Sequence, residues 1–116
     1  MKKTLSSVIV GLFIVAPFAV SAGFVGASDQ HITTVAAAKE MRDDSAVALK
    51  GNIEKHLRKD KYQFADATGK ITVEIDREDW RGVEVGPTDT VIIYGEVDRD
   101  WVRGTEIDVD AVKIVK

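Results

Sequence analysis

The chain contains no cysteine. That absence excludes a disulfide framework, a thiolate nucleophile and a lipid-modified N-terminal cysteine, so the hydrophobic core alone must hold the fold. Histidine is scarce: His31 and His56 are the only two. Ser45 has no histidine beside it in the chain, and neither a nucleophile-elbow pattern nor a metalloprotease spacing occurs. No catalytic residue, no metal-ligand set and no cofactor are expected. A run of apolar residues long enough to span a bilayer is also missing. Val8–Ala16 falls short of the roughly 20 residues a span requires and ends at Pro17. With Lys2 and Lys3 before it and Val20-Ser21-Ala22 after it, this run reads as an export signal, residues 1–22, cut after Ala22. No membrane span is expected in what remains. Positive charge is in short supply as well. Residues 23–116 carry 14 Lys+Arg against 19 Asp+Glu, a net charge of −5. An acidic exported chain is poorly suited to hold polyanions without specificity. Its 94 residues make one small domain, able to bury about 60–68% of its unfolded surface.

What is present is a pattern of short periodic segments. Residues 23–32, GFVGASDQHI, are rich in small residues and read as a flexible lead with Phe24 as its one large anchor. Thr33–Arg42 has high helix propensity, a threonine to cap its start, and Val35, Ala38 and Met41 on one face. Asp43-Asp44-Ser45 ends it. From Ser45 the period becomes two: Val47, Leu49, Gly51, Ile53 and Leu57 share one face of a long strand expected to bend at Gly51. Arg58-Lys59-Asp60 turns the chain. YQFADATGKITVEID then reads as a hairpin, with Asp66-Ala67-Thr68-Gly69 suiting a type I turn. Asp76 begins a single helical turn that sends Trp80 inward to the core. Thr90–Val97 is apolar on both faces and reads as a strand buried on both, bent at Gly95. Asp98–Gly104 is expected to be a loop, and Thr105–Val115 the last strand. Its apolar phase slips from Ile107 and Val109 to Val112 and Ile114, which implies a bulge near Asp110-Ala111. Five strands, bend glycines, one bulge and a short element between strands three and four define an all-β domain over 33–116. The expected fold is a five-stranded Greek-key OB-fold barrel with a short N-terminal helix. A five-stranded SH3-like barrel is the alternative, disfavoured by that inserted element.

In order along the chain, TTVAAAKEMRDDSAVALKGNI, YQFADATGKITVEID, EDWRGVEV and GEVDRDW followed by EIDV resemble the bacterial OB-fold family of exported stress-tolerance proteins, the YgiW/YdeI or BOF group. The resemblance covers nearly all of the chain from Thr33 onward. It implies a periplasmic single-domain OB-fold and a role in tolerating envelope stress. It brings no catalytic residues.

OB-folds commonly bind ligands on the face of strands two and three and its flanking loops. The turn from Lys55 to Lys61 places Lys55, Arg58, Lys59 and Lys61 together; it reads either as a grip on an anionic group or as a solvated turn. Gln63, Lys70 and Thr72 lie on the wet face of the hairpin. Trp101 reads either as a binding anchor or as a plug closing the barrel end. That wet face offers no aromatic for base stacking, so nucleic acid is not an expected partner. Glu106, Asp108 and Asp110 alternate on a wet face of the last strand, spaced for loose attraction of cations rather than for a compact metal site. The leading expectation is a non-enzymatic binding module for a peptide, a glycan or another envelope component. The alternatives are an adaptor that docks on a membrane or sensor protein, and a weak divalent-metal buffer.

Overall fold

The computed structural model describes residues 31–116. The expected export signal and residues 23–30 of the expected lead lie outside the described residues. Five strands follow in order: β1 (Ala46–Arg58), β2 (Lys61–Asp66), β3 (Gly69–Ile75), β4 (Val91–Asp100) and β5 (Gly104–Ile114). A helical turn, α1 (Val35–Ala38), precedes β1, and a second, α2 (Arg77–Trp80), lies between β3 and β4. The strands form a closed barrel in the order β1-β2-β3-β5-β4, sealed by pairing of β1 with β4. The ladders among these five strands are antiparallel except the short β3–β5 one, where Thr72–Ile75 run parallel to Glu106–Val109.

Alternation of side chains along each strand puts one apolar set inside. Val47, Leu49, Phe64, Val73, Ile75, Val91, Ile93, Val97, Ile107 and Val109 are all essentially solvent-free. The expected phase slip in β5 is a bulge. Tyr94 pairs with Ala111 and Gly95 with Val109, leaving Asp110 as the extra residue. The extra residue flips the inward set, and Val112 becomes the buried position beyond it. Gly95 sits at this bulge, and Gly51 sits where β1 crosses β2. A Cβ at Gly51 would lie 2.2 Å from the Ala65 carbonyl oxygen. Both positions are therefore points of close backbone approach.

The hairpin turn after β2 has a second task. Three of the free N–H groups that open α1 are satisfied: Val35 donates to Asp66 Oδ2 (2.9 Å), Ala36 to Thr68 Oγ1 (3.0 Å) and Ala37 to the N-cap Thr34 Oγ1 (3.1 Å). Thr68 Oγ in turn donates to Asp66 Oδ1 at 2.6 Å. Burial pushes the Asp66 carboxyl up, but the Thr68 hydroxyl and the Val35, Thr68 and Gly69 amides outweigh it and hold it below the ordinary value.

The structure corrects four expectations. The first helix stops at Ala38 rather than Arg42, because Glu40 and Met41 tighten into three-residue turns and the Arg99 guanidinium accepts the role of capping the Lys39 and Met41 carbonyls. Leu57 is exposed, since register shifts in β1 between Ile53 and Lys55 and between His56 and Arg58 rotate the strand end away from the core. The expected loop Asp98–Gly104 is mostly ladder: Asp98, Arg99 and Asp100 pair with Glu106, Thr105 and Gly104, leaving a tip of Trp101–Arg103. The second face of β4 is covered only in part, with Ile92 and Tyr94 half-buried.

Candidate functional site

The face of β2 and β3 is built from alternation: Lys61 and Gln63 on β2, Lys70, Thr72 and Glu74 on β3, joined as the cross-strand pairs Lys61–Glu74 and Gln63–Thr72. Lys61 is held within the fold. Its Nζ lies 2.6 Å from Glu106 Oε1 and 3.8 Å from Glu74 Oε1. Glu106 is only 5% exposed, so it does not belong to a wet acidic face, and Lys61 is a structural cation rather than a free ligand contact. Gln63 Nε2 donates to Glu54 Oε1 at 2.7 Å, and Lys70 Nζ reaches the same oxygen at 3.2 Å. Those two contacts, the Gln63 hydrogen bond first, hold the Glu54 carboxyl below the ordinary carboxylate range.

Gln63, Lys70 and Thr72 do come together. With Lys39, Ile71 and Thr105 they line a shallow depression of ≈ 250 Å³. It lies where β3 and β5 part, beyond the end of their ladder at Thr72 and Glu106. A second depression of ≈ 450 Å³ is lined by Trp101, Arg99, Asp43, Asp100, Gly104 and Thr105. Thr105 borders both, so the Trp101 hairpin tip flanks the β2–β3 face. Trp101 does not close the barrel: its ring is 103% exposed and Val102 beside it 92%. The tip is nonetheless fixed. Asp100 Oδ1 accepts the Val102 and Arg103 amides at 2.7 and 2.9 Å, and Arg103 Nη2 lies 3.2 Å from Asp100 Oδ2. The Arg103 and Val102 amides hold the Asp100 carboxyl below its ordinary value. Gly104, at φ 87, makes the left-handed step into β5.

The basic turn is not part of this groove. Arg58 pairs with Lys61 to close the β1–β2 hairpin, and Lys59 takes a left-handed conformation at its tip. Lys55 borders a third cleft of ≈ 440 Å³ whose walls include Ile53, His56, Tyr62, Trp80 and Val85. Trp80, expected in the core, is half-buried on its rim, edge-on to Tyr62 with ring centroids 5.4 Å apart. The short α2 turn holds it there, and no periodicity in residues 77–87 could have placed it. Sequence reasoning also missed Lys39, Arg99 and Thr105, which adjoin the groove only through packing of α1 on the barrel and extension of the β4–β5 ladder.

Carboxylates gather elsewhere. Glu74, Asp108 and Glu96 stand in register across β3, β5 and β4. Burial, then the charges of Glu74, Asp110, Asp76 and Asp98, push the Asp108 carboxyl up. Among the described residues no group of three His, Asp or Glu side chains could hold a metal ion, and no helix is long and apolar enough to cross a membrane.

A closed five-stranded barrel in this strand order, with a parallel β3–β5 seam and an element between β3 and β4, defines an OB-fold protein. Residues 14–114 match the family described as bacterial OB fold (BOF) protein, and the chain belongs to that family. It is 51% identical over 84 residues to protein YgiW of Escherichia coli K12; the match spans 72% of this chain and 64% of that protein's length. It is 45% identical over 108 residues to the calcium-regulated OB-fold protein CarO of Pseudomonas aeruginosa, covering 92% of this chain and 90% of CarO. The solved structure of the hypothetical protein ygiW from E. coli superposes with a TM-score of 0.72 at 49% identity, over 75% of this chain and 92% of that one.

Proposed function

We propose that this OB-fold protein is a non-enzymatic binding module, exported to the periplasm, that serves envelope stress tolerance by holding a peptide, a glycan or another envelope component along the groove between Lys70 and Trp101. The observation that carries this reading is the hairpin tip. Asp100 and Arg103 hold the backbone on either side of Trp101 while its side chain stands free in solvent, so the tip offers an aromatic anchor on a fixed loop and only the side chain must be ordered on binding. It stands beside a depression lined by Gln63, Lys70 and Thr72, which supplies hydrogen-bonding partners. Export and stress tolerance rest on the N-terminal signal pattern and on the family. Titration of the ¹⁵N-labelled protein with short peptides and cell-wall fragments tests the groove. The expected result is amide shifts confined to Gln63–Thr72, Thr105 and the Trp101 indole; shifts at none of these positions would remove the proposed site.

A second reading, an adaptor that docks on a membrane or sensor protein without a small ligand, draws on the same tip, since Trp101 and Val102 project together. A photo-crosslinking residue placed at Val102 and activated in cells under envelope stress is expected to trap one protein partner on this reading, and none on the first.

A further inference from the structure

Most cations on this face of the barrel are neutralised by a neighbouring carboxylate: Lys61 by Glu106 and Glu74, Lys70 by Glu54, Arg103 by Asp100. Lys39 and Arg99 stand outside the pattern. Among the described residues neither makes an ion pair. Arg99 Nη1 donates to the Lys39 and Met41 carbonyls at 2.9 Å each, and neutral acceptors leave its charge uncompensated. Lys39 borders the same depression as Lys70; its lining residues, Lys39, Gln63, Lys70, Ile71, Thr72 and Thr105, include no acid, and with Lys70 and Gln63 both held by Glu54 the lysine left without an ion pair is Lys39.

In the adjoining depression Asp43 is exposed and Asp100 half-buried, and both carboxylates are already engaged within the fold. Asp43 Oδ1 accepts the Arg99 amide at 2.8 Å, and Asp100 is occupied by two tip amides and Arg103. Two neighbouring depressions that share Thr105 thus offer an unpaired lysine with hydroxyl donors on one side and an aromatic ring on the other, in a chain whose net charge is −3. Attraction of an anion there runs against the overall charge and so must come from this local arrangement.

We infer that the ligand of this groove is an extended peptide bearing a carboxylate. Lys39 holds the carboxylate, with Thr72 and Thr105 donating to it, and an apolar side chain of the same peptide lies against Trp101. This rests on the groove reading given above and adds the ligand's chemistry. Phosphate is the poorer fit. With Lys70 shared with Glu54, one unpaired lysine is left to offset a phosphate that carries about two charges. A bare phosphate also has nothing to place on an exposed indole.

The test compares four probes by NMR titration of the full protein: acetyl-Ala-Phe with a free carboxylate, the same dipeptide as its amide, acetyl-Glu-Phe-amide, and inorganic phosphate. The free acid or the glutamyl peptide is expected to bind about two- to fivefold tighter than acetyl-Ala-Phe-amide, the range open to one exposed charge contact. Which of the two gains identifies a C-terminal or a side-chain carboxylate as the source. Lys39→Gln is expected to abolish that preference, so that acid and amide bind with equal affinity. Equal affinity for acid and amide at Thr72, Thr105 and Trp101 overturns the carboxylate inference and leaves the groove reading standing. Phosphate matching the peptide acids at these residues overturns it too. No peptide shift at any of them overturns both.

Discussion

Replacing Gly95 by alanine tests the tightest contact in the barrel. A Cβ at this position would lie 2.1 Å from the Asp108 carbonyl oxygen and 2.9 Å from both the Asp108 carbonyl carbon and Val109 Cα. All three neighbours are backbone, so no side-chain rotation relieves the clash. Contacts closer than 3.0 Å essentially never occur for real Cβ atoms, and β4 and β5 must therefore separate by about 1 Å at the bulge. Hydrogen bonds near 2.9 Å would then leave the effective range. Overpacking of this kind costs about 1–3 kcal/mol, and each weakened ladder bond adds up to about 1 kcal/mol. A total near 3 kcal/mol is expected. In a domain of this size each kcal/mol moves Tm by about 4–8 °C, so Gly95→Ala should melt about 10–25 °C below the parent, with an unchanged urea m-value. Gly82→Ala is the control. Gly82 has φ 78 but nothing within 4 Å of a Cβ, so it carries only the left-handed penalty of about 1–2 kcal/mol. If Gly95→Ala loses no more stability than Gly82→Ala, the close approach of the strands is not as described.

Glu106→Gln should cost about 3 kcal/mol in urea unfolding by leaving the Lys61 ammonium without its nearest partner, whereas Lys61→Met with Glu106→Leu should recover most of that loss. Asp66→Ala should cost about 1 kcal/mol, the scale of a lost helix cap. Because the Asp66 carboxyl is held below its ordinary value, this contribution is complete above the unfolded-state pKa of about 3.9 and fades as pH falls through the folded value; parent and variant should converge in acid. Asp108→Asn has the opposite sign. The raised Asp108 carboxyl opposes folding once ionised, so parent stability falls as pH rises from about 3.9 through the folded value. The variant should gain less than about 1 kcal/mol above that window, less still in high salt. Trp101→Ala should leave Tm within about 2 °C, as expected for a surface substitution, while removing the solvent-exposed component of tryptophan fluorescence.

The barrel was legible in the sequence where a single periodicity decides the outcome. Alternation in Val47–Ile53, Ile71–Ile75 and Val91–Val97 reports which face is inside, and the slip between Val109 and Val112 locates the bulge because one extra residue inverts the phase. Leu57 departs from the expectation, and Trp80 packs against the core only half-buried, because pairing irregularities and a single helical turn set their exposure, and neither leaves a periodic trace. The candidate site was half legible. Gln63, Lys70 and Thr72 follow from hairpin alternation, whereas Lys39 and Arg99 are 60 residues apart in the chain and meet only when α1 packs against the barrel. Lys61 looked free because its partner, Glu106, lies 45 residues away.

The order of synthesis has a consequence for this topology. The strand that seals the barrel, β5, is the last to emerge, yet it takes its place between β3 and β4. Before Gly104 emerges, β1 can already pair with both β2 and β4, and β2 with β3, but the facing edges of β3 and β4 stay open, and the parallel join to β3 spans more than 30 residues of intervening chain. Long-range closures of this type form slowly. Closure of the barrel is therefore deferred until β5 has emerged, and the β3 and β4 edges stay unpaired up to that moment.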